Sequence, residues 1–165
     1  MKKSFTLVEI MISVGLMAVL AVGVNTYFIS SLRSARKSAT NVIVKSEGEM
    51  MLTNIVQDVK FAKRINTNCP TNSLSILASD GSDITYTISG GNITYLKQPP
   101  NPTPMISMNL NSTKTAVNGC GGNVFSSCIP GGKVVDVCFI VNSTGAGDVT
   151  DTTSMTFKNF IYTAN

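Results

Sequence analysis

The sequence predicts an α+β fold. A long N-terminal helix has an apolar first half and an amphipathic second half, and the second half packs on a small antiparallel β-sheet head. Three observations predict this. Residues Phe5 to Leu32 carry a single charge, Glu9. Apolar residues then recur at helical spacing as far as about residue 65. Beyond that, short alternating segments are separated by Gly, Asn and Pro.

The first segment reads FTLVEIMISVGLMAVLAVGVNTYFISSL. A bilayer-spanning helix needs about 20 mostly apolar residues, so this stretch is long enough. A secretory signal peptide is the rival reading, with Lys2 and Lys3 as its basic start and Ala21-Val22-Gly23 as a small-x-small cleavage site. Apolar character runs past that site through Tyr27, Phe28 and Ile29, and Glu9 interrupts what should be an uncharged core. A carboxylate in an apolar span is costly and marks a functional position.

Lys2-Lys3-Ser4-Phe5-Thr6-Leu7-Val8-Glu9-Ile10 resembles the processing site of type IV pilins and type II secretion pseudopilins. The resemblance implies that a short basic leader is removed between Ser4 and Phe5 and that the new Phe5 amine is methylated. It implies that Glu9 serves filament assembly by neutralising that amine on a neighbouring subunit. It also implies a pilin-like lollipop, an extracytoplasmic head, and partners that include other pilin-like subunits, prepilin peptidase, an inner-membrane assembly platform and the membrane. Two positions depart from the family pattern. Ser4 stands where Gly is usual, and Thr26 where major pilins often carry Pro. The second departure points to a minor subunit.

From Ser30 to Ile65 there is no Pro and one Gly, Gly48. Val44, Gly48, Met51, Ile55, Val59 and Ala62 form a stripe at steps of three and four, widened by Leu52 and Val56. An unbroken helix from Phe5 to Ile65 would be roughly 90 Å long. Asn66 to Pro70 should end it. The divisions expected are therefore a leader (1–4), a membrane and filament-core helix (5–29), its amphipathic continuation (30–65) and a β-rich head (66–165). Arg33, Arg36, Lys37, Lys45, Lys60, Lys63 and Arg64 lie on the predicted helix, with Phe61 the single aromatic among them. They read as membrane-flanking and solvated positions, so no nucleic-acid partner is expected.

Strands are expected at 73–79, 84–88, 93–97, 105–110, 133–142 and 154–163, with turns at Asp80 to Asp83 and Gly90 to Asn92. Gln98 to Pro104 should be a loop, as should the Gly/Cys-rich stretch from Gly119 to Gly132 and the turn from Ser143 to Asp148. The segments QDVKFAKRI, SLSILASDGSDITYTISGGNITYLK, VVDVCFIVN and SMTFKNFIYT together resemble the J-type minor pseudopilins and related minor pilins.

Cys69, Cys120, Cys128 and Cys138 all fall in the head. An even count outside the cytoplasm reads as disulfides. Of three possible pairings, Cys120–Cys128 with Cys69–Cys138 is expected. No CxxC pair exists, which disfavours a Cys₄ zinc site. No metal or cofactor is expected. The Asp148-Val149-Thr150-Asp151 segment reads as a surface turn rather than a calcium loop. The glycosylation-like triplets at Asn92, Asn111 and Asn142 read as chance in a chain with 51 Ser, Thr and Asn residues.

No enzymatic activity is expected. The chain has no His, which excludes Ser-His-Asp and Cys-His centres. Ser34-Ala35-Arg36-Lys37 matches the S-x-x-K of penicillin-recognising enzymes, but Lys114-Thr115 is followed by Ala116 rather than Gly. The expected role is structural: a pilin-like, minor subunit of a type IV pilus or type II secretion pseudopilus. The alternative is a membrane-anchored or secreted binding module that uses the N-terminus only for export.

Overall fold

A computed structural model describes residues 6–101, 104–143 and 153–164. The fold is α+β, with one long N-terminal helix, α1 (Leu7–Lys60), followed by antiparallel strands. The chain divides into two units, Met1–Ala39 and Thr40–Asn165.

The first unit is the apolar part of α1. Thr6 caps it: the Glu9 amide lies 3.4 Å from Thr6 Oγ1 and 3.1 Å from Thr6 O. A Thr at the cap with a Glu three residues on is a helix-start signature.

In the second unit the rest of α1 lies on the sheets. Val44, Gly48, Met51, Ile55 and Val59 are its buried residues, the stripe that the spacing predicts up to residue 59. The helix stops at Lys60, before the expected Ile65. Ala62–Ile65 instead form β1, because Ala62 and Ile65 pair with Ala78 and Ile76 of β2 and are fully buried there. The carbonyl of Lys60, orphaned at the helix end, accepts the Ala164 amide at 2.9 Å.

The first sheet runs β1-β2-β3-β4-β5, a meander in which every neighbour is antiparallel. β2 is Ser73–Ala78, β3 Asp83–Ser89, β4 Asn92–Gln98 and β5 Ile106–Asn109. Ile84, Tyr86 and Ile88 of β3 face the core, and the intervening residues do not. The β3–β4 hairpin turns on Gly90 (φ 58°) and Gly91 (φ 80°). Two successive positive φ values define the tight hairpin turn whose twist matches its strands.

The second sheet is built around β8 (Val134–Ser143). β9 (Ser154–Tyr162) pairs along one edge of it, while β6 (Thr115–Gly119) and β7 (Phe125–Ser127) share the other. The sequence predicts neither β6 nor β7. The expected loop from Gly119 to Gly132 contains β7.

The disulfide pairing differs from the expected one. Cys69 bonds Cys128, and Cys120 bonds Cys138, with Cα separations of 5.0 and 5.5 Å. Backbone pairing dictates this choice. β6–β8 register sets Gly119 opposite Phe139, which brings the next residue, Cys120, beside Cys138. The Cys69 amide donates to the Cys128 carbonyl at 3.1 Å, aided by a Thr71–Phe125 bridge.

Candidate functional site

The candidate site is the N-terminal apolar part of α1. Every large apolar side chain from Leu7 to Leu32 is exposed, from 77% at Tyr27 to 44% at Leu32. A soluble chain does not leave so long an apolar surface open to water, so this surface is made to be covered. The helix is long and apolar enough to cross a membrane, and the apolar window that qualifies it is not buried within the chain.

Two hydroxyls of the segment bond to carbonyls of the helix itself. Ser13 Oγ donates to the Glu9 carbonyl at 2.8 Å, and Thr26 Oγ1 donates to the Val22 carbonyl at 2.9 Å. Such back-bonding lets a hydroxyl reside in an apolar medium. It also explains how Thr26 is tolerated in mid-helix. Gly15 and Gly23 have open space where a Cβ would lie, so nothing in the chain itself requires their small size.

Glu9 is the one charged residue of the segment. It sits in the first turn of α1, where a carboxylate suits the positive end of the helix dipole. Its carboxylate makes no hydrogen bond or ion pair among the described residues. Ser4 and Phe5, the predicted processing and methylation residues, lie outside the described residues, as do Lys2 and Lys3.

Residues 1–25 match the family model described as the prokaryotic N-terminal methylation motif. The chain carries a prepilin-type N-terminus. This is the signature shared by type IV pilins and pseudopilins, and it places Phe5 and Glu9 in one recognised segment. No curated protein and no solved structure matches the chain. The head therefore gains no relative from these comparisons, including the J-type resemblance of its strands.

Other predicted positions separate from this site. The four cysteines are all in the second unit, and all are disulfide-bonded. Among the described residues no group of three or more Cys, Asp or Glu could hold a metal. The Asp148–Asp151 turn, Pro102 of the Pro-rich loop and Thr144 of the third triplet lie outside the described residues. Asn111 of the second triplet is buried. Its Oδ1 accepts the Ile93 amide at 2.9 Å, and its Nδ2 donates to the Thr115 carbonyl at 2.8 Å. The same loop is tied to α1, because Glu47 Oε2 accepts from the Ser112 amide and the Thr115 hydroxyl. An isolated Asn, Ser or Thr carries no sequence signal for such a clamp.

Proposed function

We propose that the protein is a structural subunit of a prepilin-type filament, a minor subunit of a type IV pilus or a type II secretion pseudopilus. Prepilin peptidase cuts between Ser4 and Phe5, and the Phe5 amine is methylated. The apolar helix rests in the inner membrane with the head outside, then leaves the membrane to pack with the helices of other pilin-like subunits on an assembly platform.

One observation carries this reading: the matched N-terminal motif, residues 1–25, overlaps a helix whose apolar surface is uncovered. Lipid covers it before assembly, and neighbouring helices cover it afterwards. Glu9 then meets the Phe5 ammonium of a neighbour in low dielectric. There an unpaired charge costs several kcal/mol and a paired one far less. Two disulfides in the head suit an oxidising, extracytoplasmic compartment. The absence of Pro at Thr26 supports the minor-subunit assignment. The role needs no catalytic centre.

Glu9→Ala tests it. The variant should enter the membrane as well as the parent, because it removes the one charge from the span. It should be lost from sheared filaments. Equal recovery of Glu9→Ala and parent chain in those filaments would refute the role given to Glu9.

A further inference from the structure

The second unit holds a cavity of about 210 Å³ between α1 and strands β3 to β5 of the first sheet. It forms where a row of paired side chains runs out from under the helix. Leu74, Tyr86, Tyr95 and Met108 stand opposite one another across β2, β3, β4 and β5. Leu74 and Tyr86 are fully buried, Tyr95 is half-buried, and Met108 is exposed. Across from the last three, α1 contributes Asn54, Gln57 and Asp58.

The lining has one charged group. Tyr86 donates its hydroxyl to Asp58 Oδ2 at 2.6 Å, which fixes the carboxylate at the cavity wall. Asp58 Oδ1 has no partner among the described residues. No cation lines the cavity, and the nearby Lys97 is held by Asp80 at 2.8 Å. The rings of Tyr86 and Tyr95 lie edge to face, with centroids 5.4 Å apart. Burial, reinforced by the negative charge of Asp58, raises both phenol pKa values above the ordinary range, so both stay neutral donors with intact π-faces.

A carboxylate with a free oxygen, two phenol rings and two carboxamides suit a small organic cation. The carboxylate accepts charge-assisted hydrogen bonds, the rings attract positive charge, and the amide oxygens of Asn54 and Gln57 take remaining N–H groups. The volume is below the 300 to 1,000 Å³ usual for drug-sized ligands. One carboxylate is too few for a hard metal ion.

We propose that this cavity binds a guanidinium or alkylammonium group. The proposal stands independently of the assembly role. The group could belong to a free small molecule or to an Arg or Lys side chain of another chain.

The test uses full-length protein in detergent micelles, with ¹³C-labelled tyrosine rings, titrated with agmatine. Saturable shifts of Tyr86 and Tyr95 are expected at a Kd of about 1 mM or tighter. The neutral analogue 1-pentanol should not reproduce them. Asp58→Asn keeps an acceptor for the Tyr86 hydroxyl and should weaken agmatine about tenfold or more. Tyr95→Leu, at a half-exposed position, should also weaken it and decides the matter alone if Asp58→Asn fails to fold. No saturable shift, an equal response to 1-pentanol, or parent-like affinity in the variants would overturn the proposal. Acetyl-Gly-Arg-Gly-amide, titrated in parallel, separates the sources. Tighter binding than agmatine assigns a side chain of another chain, weaker binding a free cation, and either order supports the site.

Discussion

Gly48 is the one glycine of α1 that its surroundings require. It is buried against β9, and a Cβ built on it would overlap the Cε1, Cε2 and Cζ atoms of Phe157. That ring cannot easily retreat, because it stacks on Phe139 with centroids 5.5 Å apart. Two effects oppose each other in Gly48→Ala. Replacing a mid-helix Gly by Ala stabilises a helix by about 1 kcal/mol. Forcing an extra methyl into a packed site costs about 1 to 3 kcal/mol. The net expectation is a loss of about 1 kcal/mol. The cycle with Phe157→Leu sharpens this. With the ring gone, the clash goes and the propensity gain remains, so Gly48→Ala should stabilise by up to about 1 kcal/mol. The two substitutions should therefore couple by about 2 kcal/mol, within the range seen for residues in contact. The assay is urea unfolding of the full chain in micelles, comparing all four variants. If Gly48→Ala stabilises equally in both backgrounds, α1 does not pack on β9 through the Phe157 ring.

Further predictions concern the head. Non-reducing peptide mapping should recover Cys69 joined to Cys128 and Cys120 joined to Cys138, and a Cys120–Cys128 peptide would contradict the fold around β8. In the chain-entropy model the Cys69–Cys128 bond, spanning 59 residues, contributes about 4.3 kcal/mol, and Cys120–Cys138, spanning 18, about 3.2 kcal/mol. Replacing the first pair by Ser should therefore lower stability more than replacing the second, as read by urea midpoints. Tyr86 has its phenol pKa raised in the folded state, so the native state holds a proton that the unfolded chain releases above about pH 10. Stability should fall as pH rises past that point. An ultraviolet titration should find one tyrosine that ionises only on unfolding, and Tyr86→Phe should remove it.

What the sequence discloses depends on how local the cause is. The apolar run and Glu9 are local facts, and they suffice to mark the span and its motif. The stripe from Val44 to Val59 follows from helical periodicity alone. Gly90-Gly91 dictates its hairpin because few residues adopt two positive φ values in succession. The end of α1 is not local. Ala62–Ile65 has the composition of a helix end, and only the buried edge of β2 draws it into a sheet. β6 and β7 are five and three residues long and exist through β8. Disulfide pairing follows from β6–β8 register, which no cysteine spacing encodes. The Asp58–Tyr86 contact joins residues 28 apart, each unremarkable by itself.

Processing of this N-terminus for assembly, rather than its use only for export, leaves a defined mature end. Intact mass and N-terminal peptide mass spectrometry of the protein from its own cells test it most directly. The expected mature chain begins at Phe5 and carries an N-methyl group. A chain that begins at Val24, or one that retains Met1, would contradict it.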